Sequence, residues 1–503
     1  MTRVLLSLAV AAPLAFAQFS GWFKKDVFAP ANRLSGIGAD REKISEPVLA
    51  KRTQLMIDSQ TFAIMRDPEA LTGAQRITGP RLQKIFNDAS RQSGLPSSFI
   101  AAVAYLESWG NPKAESWAGP KGIMQIAGAT ARVMGLKMVY RTRYKISTER
   151  KLVRPRKGAK PVWRTVRRKI PYTVLVRDER LYPERAVPAA AQYLARLENQ
   201  YGGRDWAVFA YHCGEGCARE VRAIAQRTNG FGDKFSVAQV FFGATPAHNR
   251  ELYQTLRYHM DRDFSPTYYF RISRAEELLK LYRESPDEFK KLYYEYRNQV
   301  DPTQRAPHRL SVWLRPQDLA FKNCDDLRRE QGKSLVSVFD NPRYFGFTLR
   351  RTGPGAIGEE DPANQDLYLQ AAPSTVGTIA YIAYETRRLF EEMKVKKESW
   401  SPLEITALVQ PLDYEERVAR KGVARKGEMP AHCTGQVFDI NASSLPPSQQ
   451  EALDFVLADL GWNGYLGYVK ESTHADVIHV GAAPTARDFF TKVYQDAVNA
   501  KAE

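Results

Sequence analysis

Histidine and cysteine are scarce in this sequence, with seven and four residues among 503. The four cysteines (Cys213, Cys217, Cys324 and Cys433) are too few to frame a disulfide scaffold of this length. Only Cys213 and Cys217 are close enough in sequence to pair across a turn in an oxidising compartment, and a helix through them would strain the bond. Long apolar runs are missing as well. Beyond residue 17 no stretch is apolar enough to span a bilayer, which excludes a helical membrane channel. The bias that marks disordered chains is also absent: 44% of residues are hydrophobic and 26% charged, as in ordinary folded domains. A single core does not grow to 503 residues, so two or three domains are expected.

What is present begins with a leader. Arg3 supplies a positive start, Val4 to Phe16 is almost wholly apolar, and Ala15-Phe16-Ala17 makes an A-x-A cleavage site before Gln18. The expectation is an exported protein, periplasmic or secreted, cut near Ala17/Gln18. Acidic residues then nearly vanish between Lys137 and Arg177. Fifteen lysines or arginines stand there against one acid, Glu149, so this segment carries +14 of the chain's net +17. Tyr140, Val153, Trp163, Val166, Ile170, Tyr172 and Val174 are interleaved with the charges, which reads as strands or a long hairpin. A solvated basic hairpin and a docking site for an acidic partner both fit this pattern.

Along the chain, residues 18–79 form an extension without recognisable chemistry. Pro80 opens a helical stretch closed by Gly94, and Pro96 opens a second helix through Glu107. Phe99, Val103 and Leu106 repeat at helical spacing, as do Ile100, Val103 and Glu107, so the carboxylate ends a partly apolar stripe. Helices are expected at 126–134, 189–198, 249–260 and 275–299. After Asp301-Pro302 the pattern shifts to short strand-like runs at Val312–Leu314, Leu335–Phe339 and Tyr344–Leu349. A helix over Val376–Met393 and an apolar segment over Leu403–Val409 follow. The expected organisation is a leader (1–17), an extension (18–79), a mainly helical domain (80–270, with the basic insert 137–177), a helical linker (271–310) and an α+β domain (311–500).

Three short clusters lie in order in the helical part: Tyr105-Leu106-Glu107-Ser108, Gly122-Ile123-Met124-Gln125-Ile126 and Ala210-Tyr211-His212-Cys213-Gly214. Together they resemble the lytic transglycosylases with a soluble-transglycosylase, goose-type lysozyme-like domain. That family shows a Glu-Ser pair, then Gly-Leu-Met-Gln, then Ala-Tyr-Asn. Asp178-Glu179-Arg180, Pro183 and the helix beyond also look like the family's segment before its Ala-Tyr motif. Ile123 replaces Leu, and His212 replaces Asn. The resemblance covers about 180 residues. It implies that Glu107 is a lone acid/base working with the substrate's own acetamido group and giving a 1,6-anhydromuramoyl end. It also implies that Ser108, Gln125 and His212 hold the sugar, Met124 lines the cleft and Tyr211 stabilises the transition state. Elementary chemistry agrees with the first point. An acid that protonates a leaving oxygen must itself be neutral, and apolar surroundings at the negative end of a helix favour that form.

Nearer the C-terminus, His432-Cys433-Thr434-Gly435-Gln436-Val437-Phe438-Asp439 places a histidine and an aspartate seven apart around a glycine, and His479 follows within Val477–Val480. Two histidines and a carboxylate are a common catalytic zinc set. The stretch resembles the zinc D-alanyl-D-alanine carboxypeptidase-like family over about 130 residues. The resemblance implies His432, Asp439 and His479 as metal ligands, with Asp476 as general base. Glu471-Ser472-Thr473-His474 is a competing match to the same second motif. Gln410 stands where that family's substrate-binding arginine falls, and Ala431 where serine is frequent. A glutamine lacks the charged, two-pronged grip of arginine on a terminal carboxylate.

The combined expectation is a multidomain wall-remodelling enzyme: a mainly α, lysozyme-like N-terminal catalytic domain and a C-terminal α+β metallopeptidase-like domain. Its partners would be peptidoglycan glycan strands and peptide stems, with anionic wall polymers on the basic insert. Zinc would serve the second domain, no cofactor the first, and nucleic acid is not expected. The rival readings are a hydrolytic lysozyme or chitinase, and a wall-binding protein without catalysis.

Overall fold

The computed structural model describes residues 46–502 apart from 66, 155, 159, 229–230, 233, 264, 297–317, 339–345, 421–430 and 471–476. The expected leader, the strand-like run at 312–314 and Asp476 with the competing 471–474 motif all lie outside the described residues. The chain divides into two compact units that are not consecutive in sequence. The smaller holds Pro68–His212 and Arg271–Phe289; the larger holds residues up to Asp67, Cys213–Phe270 and Lys290 onward. The expected helical domain over 80–270 is therefore shared between the units, because the helices after Cys213 pack with the C-terminal half. Among the described residues no helix is long and apolar enough to cross a membrane.

The smaller unit is built around the helix Ser97–Ser108, in which every residue from Phe99 to Tyr105 is buried. A helix apolar on all sides can only be a central one. The helix Pro80–Ser93 packs against it and against Pro183–Tyr201. Proline opens both of these outer helices and a left-handed glycine, Gly94 or Gly202, closes each one. Pro96 sits one residue before the central helix instead of inside its first turn.

The basic insert is one antiparallel hairpin, Met138–Val153 with Val162–Asp178, paired along its whole length. Its root is fixed firmly. Asp178 and Arg180 are both buried and joined by paired hydrogen bonds of 2.7 to 3.2 Å. Arg180 also donates to the carbonyls of Gly119 and Ile126, and Glu179 accepts from the Lys137 backbone N–H at 2.9 Å. Burial alone would raise the Asp178 carboxyl, yet hydrogen bonds from Arg180 hold it below its ordinary value. The stabilisation this gives is present above the unfolded aspartate pKa of about 3.9 and fades as pH falls through the lower folded value. Asp178→Asn is expected to cost about 3–5 kcal/mol near neutrality, the usual penalty for orphaning one member of a buried pair. Calorimetry of the full chain should show the gap between variant and parent closing below about pH 4.

The larger unit carries a five-stranded sheet in the order Phe347–Leu349, Leu403–Ala407, Val437–Asn441, Val477–Ala482, Leu466–Lys470. The first pair is parallel and the rest antiparallel. Strand residues alternate inward and outward, and apolar Leu403, Ile405 and Ala407 point to the buried side. The helix Pro373–Glu392, nearly all buried, packs on Arg487–Ala502, on Pro447–Trp462 and on the sheet. A second cluster gathers Met56, Phe241, Phe242 and Phe270 with Trp462 against it. Beside it Arg52 is ion-paired to the fully buried Asp459 and lies over the Phe242 ring at 4.5 Å. Cys213 and Cys217 are disulfide-bonded, while Cys324 and Cys433 are free thiols.

Candidate functional site

Glu107 is the penultimate residue of the central helix and is half-buried. The helix ends because Trp109 and Gly110 both turn into left-handed backbone, at φ 53° and 72°. Ser108, beside Glu107, is buried and donates to the Ile123 carbonyl at 2.8 Å. That bond ties the helix end to the second motif.

The second motif is a tight turn. Gly122 has φ 78°, and a Cβ there would fall 1.9 Å from the Arg180 carbonyl oxygen, so only glycine lets the turn and the hairpin root approach. Gln125 is also left-handed, at φ 44°, and its side-chain amide donates to the carbonyls of Gly122 (2.9 Å) and Ala114 (3.2 Å). A non-glycine residue held in that region is a strained one, kept in place here by its own amide. Met124 is fully buried, and its carbonyl accepts the Tyr211 hydroxyl at 2.8 Å.

Tyr211 and His212 come from the helix Arg204–Cys213. The Tyr211 hydroxyl is pushed well above its ordinary pKa, first by burial and then by the nearby charge of Glu107 and by Tyr193. Its ring lies 6.1 Å from that of Tyr193. Glu107, Ser108, the 122–126 turn and Tyr211 thus meet in one place. A phenol kept protonated beside a carboxylate is a neutral hydrogen-bond donor at working pH. The part played by Arg180, which braces the turn through two carbonyls, was not apparent from residue spacing, because its partners lie 61 and 54 residues away.

A second group of side chains sits in the larger unit. Asp439 and His479 are directly opposite on adjacent antiparallel strands, and His479 Nδ1 lies 2.8 Å from Asp439 Oδ1. His432 comes from the short turn Ala431–Thr434, with Nε2 at 3.3 Å from the same oxygen. Gly435, at φ 67°, lets the chain swing from that turn into the strand, and an added Cβ would meet Leu335 at 2.8 Å. Donor atoms of His432, Asp439 and His479 all lie within 4.8 Å of one another. His432 Nδ1 contacts the Leu408 carbonyl at 2.8 Å, which leaves Nε2 to face the cluster. Burial opposes charge on His432, but Asp439 overrides it and holds the His432 imidazole up at about 9. In return, His432 and His479 hold the Asp439 carboxyl well below the carboxylate range against its burial. Gln410 is placed beside this group by its backbone N–H, which donates to the His432 carbonyl at 3.2 Å.

Residues 84–160 and 162–231 match the Transglycosylase SLT domain family. The matched span contains Glu107, Ser108, the 122–126 turn, Tyr211 and His212, and stops well before His432. The chain is 26% identical over 163 residues to the membrane-bound lytic murein transglycosylase F of Alcanivorax borkumensis, covering 31% of this chain and 26% of that protein. It is 30% identical over 133 residues to the peptidoglycan transglycosylase gp16 of Escherichia phage T7, covering 26% and 8%. Over a shorter stretch of 57 residues it is 39% identical to the membrane-bound lytic murein transglycosylase F 2 of Alkalilimnicola ehrlichii, 11% of this chain and 13% of that one. The chain spans about a quarter or less of the length of these relatives.

Proposed function

We propose that the protein is an exported peptidoglycan lytic transglycosylase that breaks the β-1,4 bond between N-acetylmuramic acid and N-acetylglucosamine. The observation that carries this reading is the gathering of Glu107, Ser108, the 122–126 turn and Tyr211 at the end of the central helix, within the segment that matches the transglycosylase domain. The murein and peptidoglycan activities in the relatives' names support the same substrate here. In the proposed reaction the Glu107 carboxyl gives its proton to the bridging oxygen as the bond to C1 breaks, and the substrate's acetamido group shields the developing positive charge. Glu107, now a carboxylate, removes the proton of the 6-hydroxyl, and that oxygen closes on C1. The result is a 1,6-anhydromuramoyl end with no water consumed. Tyr211 stabilises the transition state, Gln125 and His212 hold the sugar, and the buried Ser108 and Met124 shape the turn that lines the cleft. Mass spectrometry of sacculi digested by the full chain should find anhydro ends. Reducing ends instead would assign a hydrolytic lysozyme, and no release of fragments at all would leave wall binding without catalysis.

A second activity has its own observation, the convergence of His432, Asp439 and His479. The donor set fits zinc: two imidazoles and a carboxylate, with His432 oriented from behind by a backbone carbonyl. These three residues would hold the ion, and zinc bound there would supply Lewis acidity toward a peptide carbonyl. The substrate would be a wall peptide stem. Asp476 would be the general base, and Gln410, in place of an arginine, would hold a peptide by neutral hydrogen bonds instead of gripping a free carboxylate.

A further inference from the structure

Ten of the sixteen large apolar side chains most open to solvent among the described residues lie in the hairpin between Val139 and Val176, which marks it as a surface awaiting a partner. No described residue from Val139 to Arg177 is buried. A two-stranded ribbon of sixteen paired positions with no buried side chain among the described residues is marginal in water, and this one is about 50 Å long at the usual rise per residue.

Its two faces differ. Because side chains alternate and directly paired residues share a face, Tyr140, Tyr144, Ile146, Leu152 and Trp163 fall on one side. Tyr144, Ile146, Leu152 and Trp163 are 54 to 65% exposed. Arg141, Arg143, Lys145, Lys151, Arg164 and Arg168 fall on the other together with Val162, Ile170 and Tyr172, while Arg150, Arg167 and Lys169 share the first face. The single acid, Glu149, is ion-paired to Lys151.

We propose that this hairpin lies on an anionic lipid bilayer, with the face of Tyr144, Ile146, Leu152 and Trp163 in the headgroup–acyl boundary and Arg150, Arg167 and Lys169 of the same face on the lipid phosphates. The pattern separates this occupant from others. A second copy of the chain would bring another strongly basic hairpin against the first. A wall polymer would satisfy the charges, as the sequence reading expected, but would leave Ile146 and Leu152 in water. A bilayer of anionic lipid accepts both the charge and the apolar face, and tyrosine and tryptophan are favoured at such an interface. The root of the hairpin is bolted through Asp178, Glu179 and Arg180 to the turn that carries Gly122 and Gln125, so docking would hold the smaller unit near the membrane surface.

The test is sedimentation of the full chain with vesicles. It should co-sediment with phosphatidylglycerol-containing vesicles and not with vesicles of phosphatidylcholine alone. Replacing Tyr144, Ile146, Leu152 and Trp163 together with serine keeps every charge and removes only exposed side chains. It should weaken capture at least about tenfold, since each apolar group buried contributes a sizeable part of such binding. Brominated lipid should quench the tryptophan fluorescence of the parent, and Trp163→Phe should abolish that quenching. Failure to sediment with anionic vesicles overturns the proposal. So does equal capture of the serine variant, which would make the attraction one of charge alone and return the hairpin to a wall polymer. The assay reads lipid capture and not glycan cleavage, so it stands or falls separately from the transglycosylase reading.

Discussion

The expected result of Glu107→Gln is loss of glycan release from purified sacculi by about 10²–10⁴-fold, the range removed with a general acid/base. An amide has the volume of the carboxyl and fits the same half-buried position at the helix end, but it neither gives nor takes a proton. Other side chains make hydrogen bonds that join the motifs. Ser108 holds Ile123, Tyr211 holds Met124, and Gln125 holds Gly122 and Ala114, each through its own hydrogen bond. The thermal transition of the variant should therefore match the parent, and binding to sacculi should persist. Undiminished release of anhydro fragments would remove Glu107 from the chemistry and leave the motif a structural one.

Loss of metal is the corresponding expectation for the larger unit. The purified chain should hold about one zinc ion, and His432→Ala should reduce it to a small fraction of that, because three protein ligands are the working minimum for such sites. His479→Gln keeps side-chain volume while removing an imidazole, and should do the same. Zinc that binds only the folded chain raises its unfolding temperature. Added zinc should thus raise it for the parent and for neither variant. Zinc well below stoichiometry in the parent, unchanged in both variants, would make the cluster a hydrogen-bonded relic.

Much of the smaller unit was legible because its signals are local. Proline and glycine punctuate its helices, and the apolar spacing over Phe99–Leu106 identifies a buried helix whose end exposes Glu107 in part. The hairpin was likewise readable from alternating apolar and basic residues. The strand holding His479 was legible from Val477–Val480, which the structure extends to Ala482. The helix expected over 126–134 is shorter, Gly128–Val133, because Ile126 pairs back with Lys121 in the turn.

Sequence alone determined the chemical types and their order: a glutamate closing an apolar helix, a glycine-bounded turn, a tyrosine closing a third helix, and two histidines with an aspartate near the end. It could do so because helix, strand and turn preferences act within a few residues. Only the tertiary structure decided which of these meet. Tyr211 reaches the Met124 carbonyl across 87 residues, and Asp439 meets His479 across 40 by strand register. It also decided that the chain after Cys213 packs with the C-terminal half while 271–289 returns to the first unit. Such choices follow from burying apolar faces against whatever surface fits them, and the strength of that burial depends on area and shape, not on distance along the chain.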